Sequence, residues 1–289
     1  MRARQDPVVY QQAEAARSGA LNPVQRSAYQ EDGFLFVPEL FSAHTVERLQ
    51  DEMQAMREEY AGKGRDEVIT EPGSGEVRSI FNVHRLNDLF ANLVRDPRVL
   101  NVAREILGSE VYIHQSRINY KPGFRGKEFY WHSDFETWHC EDGMPAMRAL
   151  SCSILLTDNN ESNGPLMLIP GSHRHFISCV GETPDDHYKK SLKQQDYGVP
   201  DEALLRQLCD RGGIASCKGR AGSVGFFDCN TMHGSNSNIT PYPRSNVFFV
   251  YNSIENQLLA PKGGLKPRPE FVATRVGVEA LQERALSVG

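Results

Sequence analysis

The sequence predicts a mainly antiparallel β-sheet or barrel with helices packed outside it. Helical patterns fill the first third of the chain, strand patterns then come in series, and no regular alternation of strand and helix links them. The first 30 residues are polar and in part helical, and Gly33-Phe34-Leu35-Phe36-Val37-Pro38 reads as a short strand closed by proline. Ser42 can cap a helix in which Val46, Leu49, Met53, Met56 and Tyr60 recur at spacings of three and four, a packing stripe that implies no chemistry. Residues 61–79 hold four glycines and a proline among mixed charges without a sustained period, which predicts a mobile loop; a plain surface excursion is favoured there over a lid. Asp96-Pro97 opens a second helix that Gly108 closes. Strand candidates follow at 111–120, 150–157, 165–169, 222–227 and 246–254, and the polar stretch 182–200 reads as an insertion that is the other candidate lid.

Composition limits the partners. The chain has 289 residues, and all-β barrels and sandwiches often run past 200 residues as one domain, so a single domain over 1–289 is expected. With 32 basic against 37 acidic residues the net charge is −5, which offers no electrostatic basis for nucleic-acid binding. There is no run of about 18 apolar residues to span a membrane, and the early arginines are not followed by an apolar signal segment, so a cytoplasmic protein is expected. Six cysteines without a C-x-x-C pair read as reduced thiols. A small molecule or another protein is the expected partner.

Two strands carry the wrong residues for a core. In 111–121, strand period groups Val111, Ile113, Gln115, Arg117, Asn119 and Lys121 on one face. In the last strand Arg244, Asn246, Phe248 and Val250 share a face, opposite Val247, Phe249 and Tyr251. One such strand is explained by an end that emerges into water; two of them favour a polar cavity.

Between these strands lies Phe129-Tyr130-Trp131-His132-Ser133-Asp134. In an extended chain His132 and Asp134 project to the same side and can converge on one ion. His233, 99 residues beyond Asp134 and just past an apolar strand, is the best second imidazole. Two histidines and one carboxylate on one face of an ion leave its other face open, the arrangement of non-haem Fe(II) oxygenases. The H-x-D spacing alone is weak among nine histidines. Arg244, eleven residues after His233, strengthens it, because a guanidinium there can grip the far end of a dicarboxylate bidentately. His139 is an alternative to His132, and His173 with His175 follows a Pro-Gly turn where loop stabilisation is the commoner role. His44, His84, His114 and His187 are expected to be surface or core residues.

At these residues the sequence resembles the phytanoyl-CoA dioxygenase family of Fe(II)- and 2-oxoglutarate-dependent oxygenases. Asn163-Gly164-Pro165-Leu166 and Pro170-Gly171-Ser172-His173 resemble that family's strand-and-turn segment, and residues 129–151 resemble the signature stretch of its ectoine hydroxylases. The resemblance implies a double-stranded β-helix, or jelly-roll, core over about 109–256, preceded by a helical part over about 1–108 and followed by a C-terminal segment, 257–289. It implies iron on His132, Asp134 and His233, and 2-oxoglutarate on Asn119, Lys121, Phe129, Ser235 and Arg244. Substrate contacts would be Gln115, Trp138, Ser151, Phe227, Asn246 and Phe248, with O2 as the second cosubstrate and a homodimer as the assembly. Read from the residues alone, Trp138 is a core aromatic, and Phe227 and Phe248 are walls. The implied reaction is hydroxylation of ectoine to 5-hydroxyectoine with release of succinate and CO2, and Asp134 fits it because halogenases of this kind lack that carboxylate. The alternatives are the same chemistry on another small amino or imino acid, or a non-catalytic jelly roll with a structural metal.

Overall fold

The computed structural model describes residues 1–11, 19–71, 75–177 and 200–286. In chain order the elements are β1 (Arg2–Ala3), α1 (Pro23–Asp32), β2 (Phe34–Val37), α2 (Ala43–Tyr60), β3 (Val68–Thr70), β4 (Val77–Phe81), α3 (Val83–Leu86), α4 (Asp88–Leu93) and α5 (Pro97–Leu107). They continue with β5 (Val111–Lys121), β6 (Phe129–His132), α6 (Asp134–Glu141), β7 (Ala149–Leu155), β8 (Leu166–Leu168) and β9 (His175–Phe176). The last are α7 (Glu202–Gly212), β10 (Ala215–Cys217), β11 (Val224–Asp228), β12 (His233–Ser235) and β13 (Arg244–Ser253).

Local chemistry sets the helix limits. Asn22 and Gln25 form a capping box ahead of α1, and Gly33 ends it at φ +82°. There a side chain would also strike the His173 ring, with its first carbon 2.3 Å from Nδ1. The Ser42 side chain accepts from the Thr45 N–H, and all five residues of the α2 stripe are buried. Asp96 accepts from the Arg98 N–H, Pro97 opens α5, and Gly108 closes it at φ +63°.

The strands form the two sheets of a jelly roll. The larger has the order β2-β11-β7-β13-β5-β4-β3 and the smaller β10-β8-β12-β6, while β1 pairs with β9. Every pairing is antiparallel. One face of the large sheet, with Ile80, Ile118, Cys152, Ile154, Phe226, Val247, Phe249 and Tyr251, packs on Leu49, Met53, Leu100 and Ile106 of α2 and α5. The other face meets the small sheet where Phe227 and Phe248 pack on Leu166, Leu168 and Cys217. The helices thus seal the apolar side, and the site lies between the sheets.

Two expectations need correction. Residues 61–79 are not all loop, because β3 and the start of β4 fall in them and pair at the edge of the large sheet. The glycines hid a short hairpin whose apolar Val68, Ile69 and Val77 are too few to show a period. The face reading of 111–121 also fails at its start. Val250 pairs with Gln115 but the next residue, Tyr251, pairs with Ile113, so a bulge at His114 resets the alternation. Val111 and Ile113 therefore join Ile118 and Tyr120 in the helix-side core, whereas Gln115, Arg117, Asn119 and Lys121 keep the opposite face. The insertion 182–200, apart from Pro200, lies outside the described residues, as does His187.

Two buried ion pairs tie the chain's outer segments to this core. Arg4 reaches Asp228 at 2.8 Å, with both side chains 3% exposed. Asp142, fully buried, accepts from Arg268 Nε at 2.7 Å and lies 3.3 Å from His114 Nε2. Burial alone would raise the Asp142 carboxyl, yet Arg268 and His114 hold it well below the usual carboxylate range. A group titrating lower when folded contributes its stabilisation above the ordinary carboxylate value of about 3.9 and loses it as pH falls below. Asp142→Asn is therefore expected to lower the free energy of unfolding most at neutral pH, by about 3–5 kcal/mol for a broken buried pair, seen as a lower urea midpoint. Urea titrations stepped downward from about pH 5 should show the gap to wild type closing, and a constant gap would contradict the assignment.

Candidate active site

Strand register brings the two imidazoles together. β6 ends at His132 and β12 begins at His233, and these residues are direct partners in the small sheet, with ring centroids 4.2 Å apart. Ser133 is extended (φ −109°, ψ 139°), and Asp134 is the first residue of α6. H-x-D thus straddles a strand-to-helix junction, where an unbroken extended segment was expected. The carboxylate still converges, with Oδ1 3.8 Å from His132 Nε2 and Oδ2 3.8 Å from His233 Nε2. One ligand atom from each of the three residues lies within 4.8 Å of the others.

The outer hydrogen bonds fix the rings for ligation. His132 Nδ1 donates to the Tyr130 carbonyl at 2.7 Å, and His233 Nδ1 to the Thr231 carbonyl at 2.9 Å. Each Nε2 lone pair is left aimed at the cluster. Burial, then the His233 ring, pushes His132 down to about 4, so it is a neutral donor at physiological pH. Ser151 Oγ donates to Asp134 Oδ2 at 3.4 Å. The turn before His233 is braced by residues whose motif had no assigned task. Ser172 Oγ accepts from the Met232 N–H at 2.9 Å and donates to the Ile169 carbonyl, while Thr231 Oγ1 donates to the Gly33 carbonyl. These three donors fit a divalent transition metal with one face open.

That open face meets a cavity lined by Arg117, Asn119, Phe129, His132, Leu166, His233, Gly234, Ser235, Arg244 and Phe248. Arg244 is 5% exposed, and its Nε and Nη1 are buried without an acceptor. Burial lowers its pKa to about 10, still charged at neutral pH. Arg244 pairs with Lys121 across the ladder. Lys121 Nζ donates to Ser235 Oγ at 2.9 Å and to the Asn236 carbonyl, and burial followed by Arg244 pushes it down to about 6. Asn119 Oδ1 accepts from Ser79 Oγ at 2.9 Å. A buried guanidinium with two nitrogens unmatched among the described residues, lining the same cavity as the two metal-ligating imidazoles, suits a dicarboxylate that also chelates.

Of the expected substrate contacts only Phe248 is in this lining; Gln115, Trp138, Ser151, Phe227 and Asn246 are not. Phe227 stands 5.0 Å from the His233 ring, centroid to centroid. Asn246 Nδ2 donates to Ser153 Oγ at 3.1 Å, leaving its Oδ1 buried without a donor. Gln115 Nε2 donates to the Val272 carbonyl, so the C-terminal segment reaches the cavity face of β5. Trp138 is 3% exposed, packed edge-on against His114 and clustered with Phe135, Met144 and Val250. Among the competing histidines, His139 Nδ1 contacts the Met144 carbonyl and its other nitrogen meets Lys262. His173 is buried beside Gly33, and His175 lies in β9. His84 contacts Ser116 Oγ at 2.6 Å, His114 faces Asp142, and His44 is exposed. Arg117, Leu166 and Ser79 were missed as site residues; for Arg117 the signal was its shared face with Asn119 and Lys121.

The profile of the phytanoyl-CoA dioxygenase family matches residues 29–246. The chain belongs to the phytanoyl-CoA dioxygenase family. The ectoine dioxygenase of Bordetella bronchiseptica is 65% identical over 280 residues, 97% of this chain and 90% of that one. That of Stutzerimonas stutzeri is 55% identical over 281 residues, covering 97% and 92%. The crystal structure of EctD from S. alaskensis with 2-oxoglutarate and 5-hydroxyectoine superposes with a TM-score of 0.88 at 48% identity, covering 99% of this chain and 94% of that one. The same enzyme with bound Fe also superposes at 0.88, with 47% identity and the same coverage.

Removing Asp134 separates a functional metal from a structural one. Asp134→Ala is expected to stay folded by circular dichroism and to lose far more Co(II) affinity than the roughly 10–100-fold cost of an outer hydrogen bond. Unfolding of the variant would favour a structural metal.

Proposed function

We propose that this protein is an Fe(II)- and 2-oxoglutarate-dependent oxygenase that hydroxylates ectoine to 5-hydroxyectoine, releasing succinate and CO2. The observation that carries the reading is the pairing, within one cavity, of an open-faced His/Asp/His cluster with the buried, acceptor-less guanidinium of Arg244. The relatives named above support the substrate. His132, Asp134 and His233 would hold iron, which when bound supplies the activation of O2 for insertion of one oxygen atom into an unactivated C–H bond. Arg244 takes the far carboxylate of 2-oxoglutarate, with Lys121, Ser235, Asn119 and Phe129 shaping that end of the cavity. Desolvation there makes each charge-assisted hydrogen bond stronger than in water.

Ectoine is a cyclic amidine bearing a carboxylate. Its contacts in this reading are Gln115, Trp138, Ser151, Phe227, Asn246 and Phe248, of which Phe227 stands against the His233 ring and Ser151 against Asp134. Aromatic faces attract the delocalised cation by about 0.5–2 kcal/mol, and walls of this kind exclude water from the reacting carbon. The chain acts as one dioxygenase unit, with the jelly roll over about 109–256 and the helical part over about 1–108 lending β2, β3 and β4 to its larger sheet. A cytoplasmic homodimer completes the reading. No helix among the described residues is long and apolar enough to cross a membrane.

Aerobic incubation with Fe(II), ascorbate, 2-oxoglutarate and ectoine is expected to yield a product heavier by one oxygen atom, with one succinate per product. Metal-replete protein that leaves ectoine unchanged while oxidising another small amino or imino acid would move the assignment to that substrate. Arg244→Ala is expected to weaken 2-oxoglutarate use by about 2–5 kcal/mol, because the distal carboxylate is then buried without a partner. An unaltered KM for 2-oxoglutarate would remove Arg244 from that role.

A further inference from the structure

The cavity holds a second cation that the reading above leaves without a task. Arg117 lines it on β5, two residues from Asn119 and four from Lys121, which is about 13 Å along an extended strand. Its Nε is buried with no acceptor, and the residue keeps part of its surface open on the cavity side. The sheet itself holds the group. Phe81, Arg117 and Phe248 are partners in one row across β4, β5 and β13. The guanidinium carbon sits 6.0 Å from the Phe81 ring centroid and 5.2 Å from that of Phe248. Flanking aromatics restrict a long side chain, and this one lines the cavity. The charged groups felt from other elements are Asp134 of the metal cluster and Arg268, which is engaged by Asp142.

A cation kept in a low-dielectric cavity, with no acceptor on its Nε among the described residues, costs stability, and a ligand anion hydrogen-bonded to it reduces that cost. Counting carboxylates identifies the anion. The cosubstrate has two, one at Arg244 and one beside its keto group for the metal; the substrate brings a third. We propose that Arg117 is a specificity-determining residue that grips the carboxylate of the substrate, and thereby sets which ring carbon lies over the open face of the cluster. The proposal rests on the ectoine reading and deepens it. Two anchored carboxylates, one at each arginine, keep substrate and cosubstrate from exchanging places in one polar cavity.

The test compares wild type with Arg117→Met and Arg117→Lys in steady-state assays on ectoine and on the same ring without its carboxylate, a methyl-tetrahydropyrimidine. For Arg117→Met, KM for ectoine is expected to rise about 30-fold or more, with KM for 2-oxoglutarate unchanged. On the decarboxylated ring the wild type and Arg117→Met should perform alike, because the group that Arg117 recognises is gone. Arg117→Lys keeps the charge and loses the fork, so it should fall between the two on ectoine. The ligand-free melting temperature of Arg117→Met should equal or exceed that of wild type, a result that a structural role for Arg117 would reverse. A rise in KM for 2-oxoglutarate alone, an unchanged KM for ectoine, or equal losses on both rings overturns the assignment. Wild-type protein that leaves ectoine untouched overturns the functional reading and this assignment together.

Discussion

The ladder between β5 and β13 is the constraint on which the site depends. Along it, Lys121 stands opposite Arg244, Asn119 opposite Asn246, Arg117 opposite Phe248 and Gln115 opposite Val250. The same two strands turn Ile118, Tyr120, Val247, Phe249 and Tyr251 toward the helices. Taking a charge out of water costs several kcal/mol, about as much as the burial of two large apolar side chains returns. A face with Arg117, Lys121 and Arg244 inside the protein is tolerable because the opposite face of each strand is anchored in the main core. The bulge at His114 makes this division possible, since without it Val111 and Ile113 would share one face with Gln115, Arg117, Asn119 and Lys121.

The metal cluster depends on a second piece of register. His132 and His233 are direct partners on neighbouring strands, which holds their rings against each other whatever happens in the hundred-residue excursion between them. Backbone carbonyls of Tyr130 and Thr231 then select the tautomer. The carboxylate arrives differently, on the first turn of α6, where the strand stops and the helix begins. The turn leading to His233 is held by Ser172 and Gly33, residues far from the cluster in sequence. Changes at those positions would act on metal affinity through the Thr231 carbonyl, with no contact to the ion.

The polar cavity carries its charge unequally. Lys121 is satisfied by Ser235 and Asn236, whereas Arg244 and Arg117 have buried nitrogens without acceptors. An unmatched buried donor carries a desolvation cost, which an anionic ligand hydrogen-bonded to it would reduce. The C-terminal segment is tied to this sheet face through the Val272 carbonyl on Gln115, and Arg268 donates to Asp142.

Helix limits, the α2 packing stripe and the five main strands were legible because caps, Pro-Gly punctuation and period are local properties of the chain. The metal triad was legible through residue type and spacing, and the family resemblance added the ligand list. The bulge at His114 was not, because one extra residue leaves no compositional trace and shows itself only when a partner strand is laid alongside. Nor was the β3–β4 hairpin, whose strands are too short to display alternation. Arg117 shows the division most clearly. Period placed it on the polar face, yet only the packed sheets show that Phe81 and Phe248 flank it and that its Nε has no acceptor among the described residues. The sequence by itself determined which residues have the chemistry for metal and carboxylate binding. The tertiary structure alone decided which of those groups are left unpaired in a shared cavity, because pairing and desolvation belong to neighbours brought together across the sheets.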